Sequence, residues 1–213
     1  KALHAIIVGG EGVISTDVED ELSKMGLDYI RLSGDDRYKT AFAVADYMAK
    51  KLDMGDELVI ATGDNFPDAL SIAPIAGIKN MPILLSEKDK LPEGVEEFID
   101  ENNITGTYVL GGTGVISSSV EEELPNSIRL GGEDRYETNA KVLSYFKDDI
   151  DLNTIYIATG NDFPDALSGS ALAAKHLSPI VLVDKTPQKL TLDFVADNRL
   201  SIKDITAIGG EGV

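Results

Sequence analysis

Short apolar runs alternate with longer amphipathic ones along the chain. IIVGG at 6–10, YIRLSG at 29–34, LVIATG at 58–63 and PILLS at 82–86 are too short for helices and rich in β-branched residues, so they predict strands. Their apolar character is nearly continuous rather than alternating, which is the pattern of strands covered on both faces in a parallel sheet. TDVEDELSKMG at 16–26, YKTAFAVADYMAKKL at 38–52, PDALSIAPIAGIKN at 67–80 and EGVEEFIDENN at 93–103 separate or follow those runs and predict helices. Strand and helix in strict turn predict an α/β protein with right-handed crossovers. The expected fold is a tandem of Rossmann-like or flavodoxin-like βα repeat modules with mostly parallel sheets.

The pattern repeats. ATGDNFPDALS at 61–71 returns as ATGNDFPDALS at 158–168, identical at nine of eleven places. RLSGDDRYKT at 31–40 returns as RLGGEDRYET at 129–138, and MPILLS at 81–86 as SPIVLV at 178–183. AIIVGGEGVIS at 5–15 matches TYVLGGTGVIS at 107–117, and ITAIGGEGV at 205–213 begins a third copy. A period near 98 residues over the whole chain is a duplication.

Glycines close most of the predicted strands, at Gly9-Gly10, Gly63, Gly111-Gly112 and Gly160, where a sharp turn with positive φ is expected. GGEGV lacks the third glycine of a dinucleotide fingerprint, so no nucleotide cradle is expected. In NFPDALS, Pro67 suits a first helical turn, Asp68 suits the positive end of the helix, and Asn65 or Asp64 is the expected cap. Asp162, Pro164 and Asp165 repeat that arrangement. In the second repeated motif, G-x-D-R-Y-x-T, Asp36 and Asp134 are expected caps. Arg37-Tyr38 and Arg135-Tyr136 then fall in the first turn. A cation is poorly placed at that end of a helix and needs a specific partner, either a carboxylate such as Asp68 or Asp165, or a ligand. Both loops are expected at the C-terminal edge of the sheet, where open α/β folds bind ligands.

Charge narrows the partners. With 37 acidic against 19 basic residues the net charge is -18, a field that repels nucleic acid. No apolar run is long enough to span a membrane, and with no cysteine there is neither a disulfide framework nor a thiolate metal site. The sequence contains no HExxH, no G-x-S-x-G and no GxxxxGK[ST]; of its two histidines, His4 lies near a ragged end and His176 ends a predicted helix without a counterpart in the repeat. Acidic runs such as Glu121-Glu122-Glu123 read as solvated helix faces. No cofactor is expected.

RLSGDDRYKTA, ATGDNFPDALS, MPILLS and GG-x-G-V-I-S together resemble the cell wall binding repeat type 2 modules of clostridial surface and S-layer-associated proteins. The resemblance runs in register over essentially the whole chain. It implies three tandem modules, sharing strands and helices in a pseudo-threefold assembly, that hold an exported protein in the cell wall or S-layer by non-covalent binding of an anionic polysaccharide. In the family's frame residues 1–28 are the tail of a preceding module, 29–127 one module and 128–213 the next. The family ties an I-L-L motif to binding. That motif stands here as Ile83-Leu84-Leu85 and, with a departure at the middle position, as Ile180-Val181-Leu182. The expected partners are the polysaccharide, other repeat modules of the same protein and other S-layer proteins.

A net charge of -18 rules out long-range attraction to a polyanion, so contact must be local. The expected contacts are Arg37 and Arg135 as fork donors, backbone N–H groups at helix starts, sugar faces on Tyr38 and Tyr136, or a bridging divalent cation. The apolar I-L-L run reads as a buried strand that acts through loop placement. An enzyme hydrolysing glycan or peptidoglycan, with Asp68 and Asp165 or the acidic clusters as general acid and base, and a purely structural S-layer domain, are the alternatives.

Overall fold

The computed structural model of the chain describes residues 3–210; the last residues of the third GGEGV copy, 211–213, lie outside the described residues. The elements follow in the order β1 (His4–Val8), α1 (Thr16–Lys24), β2 (Asp28–Leu32), α2 (Arg37–Lys51), β3 (Glu57–Thr62), α3 (Pro67–Lys79), β4 (Ile83–Ser86), α4 (Val95–Glu101) and β5 (Gly106–Leu110). They continue with α5 (Ser118–Glu122), β6 (Ser127–Leu130), α6 (Arg135–Tyr145), β7 (Thr154–Thr159), α7 (Pro164–Lys175), β8 (Ile180–Val183), α8 (Lys189–Asp197) and β9 (Asp204–Ile208).

Among the described residues the strands form three sheets, in which the pairings are all parallel. The middle sheet runs β4-β3-β5-β6, the first is β1-β2, and the last is β8-β7-β9. By the repeat, β1 and β2 correspond to β5 and β6, and β7, β8 and β9 to β3, β4 and β5. β6 lies at the start of the unit read from residue 128, yet it completes the sheet of the unit before it through Val109↔Arg129 and Leu110↔Leu130. Successive repeats therefore share a sheet instead of forming separate lobes.

Packing follows the same rule. One apolar cluster joins Val59, Ile72 and Leu110 of the first repeat to Val142, Phe146, Ile155 and Val181 of the second. α3 lies against both α6 and α7. Gly77 allows this approach, because a Cβ there would stand 3.0 Å from the Cβ of Ala174. The central strands β3 and β7 sit deep in the stack, as their continuous apolar sequence requires. At the two ends the cover is thinner: Ile6 of β1 is 51% exposed and Ile205 of β9 is 56% exposed, whereas Val109 of β5 is fully buried.

Candidate functional site

The repeated motifs meet at the C-terminal edge of the sheets. Asp36 caps α2 by accepting from the Lys39 N–H at 2.8 Å. Asp134 caps α6 by accepting from the Tyr136 and Glu137 N–H groups. This cap sets the following arginine at the helix start, from which it reaches the end of the next strand. Arg37 Nη1 donates to the Gly63 carbonyl and Arg135 Nη1 to the Gly160 carbonyl, both at 2.5 Å. Thr40 and Thr138 close each loop by accepting from the N–H of Gly34 and Gly132.

Gly63 and Gly160 do not have the positive φ expected of them; that conformation belongs to Gly9 and Gly111. What they supply is space. A Cβ on Gly63 would lie 2.4 Å from the Tyr38 ring, and one on Gly160 2.5 Å from the Tyr136 ring. The tyrosines therefore rest on strand-end backbone. Tyr136 is buried and donates to Asn161 Oδ1 at 3.1 Å, while Tyr38 keeps partial exposure. Burial, and after it the charges of Asp64 and Glu87, pushes the Tyr38 hydroxyl pKa up. For Tyr136 the causes are burial and then Asp184.

The predicted pairing of arginine with carboxylate is corrected in its geometry. Asp68 does not face Arg37 of its own repeat; it faces the second repeat. Burial raises its pKa, while the Thr138 hydroxyl and, after it, the Arg135 guanidinium hold it down. Its Oδ2 sits 2.6 Å from where Gly111 would carry a Cβ, so glycine is required there for fit as well as for its φ of 93°. Above it, Phe66 packs on Phe163 with ring centroids 5.3 Å apart, and Arg135 Cζ lies 5.6 Å from the Phe66 centroid. Among the described residues none of Arg37, Asp68, Arg135 and Asp165 enters an ion pair; the arginines' hydrogen-bond partners are the strand-end carbonyls.

The predicted caps of α3 and α7 are also corrected. Phe66 and Phe163 occupy the cap positions with no side-chain hydrogen bond to the helix. Asn65 and Asp162 instead accept from the N–H of the phenylalanine that follows each. Pro at the first turn and Asp68 and Asp165 beside it stand as expected.

Ile83-Leu84-Leu85 form β4 and Ile180-Val181-Leu182 form β8, each an edge strand beneath helices. Leu84 is buried, as are all three residues of the second set. The free edge of β8 is sealed by Asn139, whose Nδ2 donates to the Ile180 carbonyl at 3.1 Å and whose Oδ1 accepts from the Leu182 N–H at 2.9 Å. The residue at that place in the first repeat is Ala41.

Sequence reasoning missed Arg31 and Arg129, although both open the repeated R-L-x-G-x-D-R motif. Arg129 holds Glu121 at 2.8 Å and the Gly111 carbonyl at 2.9 Å; Arg31 holds Glu19 at 2.7 Å and the Gly9 carbonyl at 2.7 Å. Glu121, read as part of a solvated face, is thus a loop anchor. Among the described residues there is no group of three or more potential metal ligands, and no helix is long and apolar enough to cross a membrane.

Residues 31–121 and 129–213 each match the family profile described as cell wall binding domain 2 (CWB2). The chain is 32% identical over 181 residues to the N-acetylmuramoyl-L-alanine amidase LytC of Bacillus subtilis, covering 85% of this chain and 35% of the amidase. It is 34% identical over 183 residues to the amidase enhancer of the same organism, covering 84% of this chain and 24% of that protein. Among solved structures, Cwp6 from Clostridium difficile superposes with a TM-score of 0.85 at 28% identity, over 98% of this chain and 34% of Cwp6. Cwp8 from the same organism superposes with a TM-score of 0.81, also at 28% identity, over 98% of this chain and 36% of Cwp8. The chain thus spans about a third or less of these relatives' lengths.

Proposed function

The chain belongs to the cell wall binding domain 2 family, and from that premise we propose that it anchors an exported protein by gripping an anionic polysaccharide of the wall. Association with the cell wall, without catalysis, follows from the family itself, which is a binding domain. The observation that carries the reading is that both repeats match the family, each with its arginine clamp at the strand ends.

A chain of net charge -18 needs local donors to hold a polyanion. Arg37 is one, since it is exposed and its only described hydrogen bond goes to the Gly63 carbonyl, which leaves further N–H groups for a carboxylate or phosphate. Arg135 lies against Phe66 and beside Asp68, so it is the more constrained of the two. Titration with polysaccharide purified from Gram-positive walls tests this. Saturable binding is expected, weakened about tenfold by Arg37→Ala, the usual scale for one hydrogen bond to a charged group. Undiminished binding by that variant removes Arg37 from the contact, and absence of binding by the unaltered chain removes the polysaccharide. An arm with chelator decides whether a divalent cation bridges polymer and carboxylates.

A second reading rests on the unmatched halves of the inter-repeat contact. Arg37 with Thr40, and Asp165, are the counterparts of groups that meet between the two repeats. They are suited to receive another repeat unit of the same kind, within the parent protein or in a second copy. A light-scattering mass that stays monomeric at all concentrations counts against association between copies.

A further inference from the structure

The two repeats differ chemically between α6 and α8. A groove of about 760 Å³ opens there along β6, with Ala140 and Phe194 in its floor. In the first repeat the residue at the place of Ala140 is Phe42. Its ring packs edge-on against Phe98 at 5.7 Å and lies 3.4 Å from where Gly94 would carry a Cβ. The second repeat has exchanged that ring for a methyl group.

The walls contain both signs of charge, and most of it is already spent. Arg129 is held by Glu121 and Gly111, Lys141 by Glu137 and the Gly131 carbonyl, and Asp193 by Lys189. Lys147, Ser144 and Asp197 form no described hydrogen bond. Asn198 uses its Nδ2 on the Phe194 carbonyl at 2.7 Å, which leaves its Oδ1 free. Tyr145, 46% exposed, stands in the wall with its ring held against Tyr108 and Phe146 at 5.7 Å and 4.9 Å. The groove thus combines one fixed aromatic surface, two acceptors, one hydroxyl and one cation on a small apolar floor.

That set matches a sugar better than any other common ligand. A pyranose has an apolar C–H face for an aromatic ring, and neighbouring hydroxyls that donate to carboxylate and amide oxygens. A strand with a charge on every unit, such as a nucleic acid, would need more than one uncommitted cation, and a purely apolar helix would cover Lys147 and Asp197 without giving them partners. The volume lies within the usual range for a ligand site.

We propose that the α6–α8 groove of the second repeat is a saccharide subsite. One sugar ring lies on Tyr145, its hydroxyls donate to Asp197 and Asn198, and a single anionic substituent meets Lys147. This rests on the wall-polysaccharide reading and adds a contact that the first repeat cannot make.

The test uses the whole chain, labelled with ¹⁵N, and oligosaccharides released from purified Gram-positive wall polysaccharide. Amide shifts are expected at Ser144–Lys147 and Asp193–Asn198. Lys147→Ala combined with Asp197→Ala, both on exposed side chains, is expected to weaken binding at least about tenfold. Ala140→Phe, which restores the residue of the first repeat, is expected to abolish the shifts in the groove; if it disturbs the fold, the double surface variant still decides. Shifts confined to the strand-end loops, with unchanged binding by the double variant, overturn the subsite and leave the wall-polysaccharide reading standing. No saturable binding by the unaltered chain overturns both.

Discussion

The starts of α3 and α7 carry the same residues, Phe-Pro-Asp-Ala-Leu-Ser, in opposite surroundings. Pro67 and Ser71 are buried while Pro164 and Ser168 are exposed, and Leu70 is 6% exposed where Leu167 is 55% exposed. The difference arises because α3 inserts between its own repeat and the next. Asp68 reaches Gly111 and Thr138, Phe66 reaches Phe163 and Arg135, and Leu70 joins Tyr136 and Ala166 in one apolar cluster. α7 meets no equivalent partner at its start among the described residues. Helix initiation alone tolerates many sequences. The near-identity of the two segments is explained by a docking surface that is filled once and presented a second time.

The contrast is broken most directly at the two leucines. Leu70→Ala is expected to cost about 2–5 kcal/mol, the scale for emptying a packed leucine site, whereas Leu167→Ala is expected to stay within about 0.5 kcal/mol. Urea denaturation of both variants measures the difference. Equal costs would mean that the eleven repeated residues are maintained by local helix formation and not by docking.

Less of this contact was legible in the sequence than of the fold. Alternating apolar and amphipathic runs marked strands and helices correctly, because a covered parallel strand and a packed helix leave different periods in the chain. Asp36 and Asp134 were legible as caps, since capping is set within a few residues. Which arginine Asp68 faces was not, because that depends on how one repeat is rotated onto the next. The roles of Gly63 and Gly160 were misread for a related reason, as their constraint comes from the Tyr38 and Tyr136 rings on another element and not from local φ. The strongest overlooked signal lay in the departures between copies. Ala41 against Asn139 marks the sealed edge of β8, and Phe42 against Ala140 marks the α6–α8 groove.

The first of those departures sharpens the comparison at the I-L-L strands. Asn139→Ala restores the residue of the first repeat and strips the Ile180 carbonyl and Leu182 N–H of their described side-chain partners. A loss of about 1–3 kcal/mol in stability is expected, with faster amide exchange at Leu182. Unaltered exchange there would show that the overlying helix alone protects the strand edge.

The smallest expected effect is the most specific to the filled contact, and it concerns the proton on Asp68. Burial raises the folded-state pKa of this carboxyl above 3.8, against the opposing pull of the Thr138 hydroxyl and the Arg135 charge. The folded chain therefore binds the proton more tightly than the unfolded chain, and stability must fall as pH rises across the interval between the two values. The contribution is fully present below 3.8 and is lost as the pH passes the folded value. Many other carboxylates also ionise in that range, so the raw pH profile cannot isolate it. Asp68→Asn can, because the amide is nearly isosteric and does not titrate. The stability of the unaltered chain relative to this variant is expected to decline as pH rises from the acid side, measured by urea denaturation at closely spaced pH values. Thr138→Val removes the hydroxyl that favours the ionised form, so it is expected to widen the interval and deepen the decline. A relative stability that is flat with pH, or that grows as Asp68 ionises, would mean that water reaches the carboxylate and that the contact between the repeats is looser than its packing indicates.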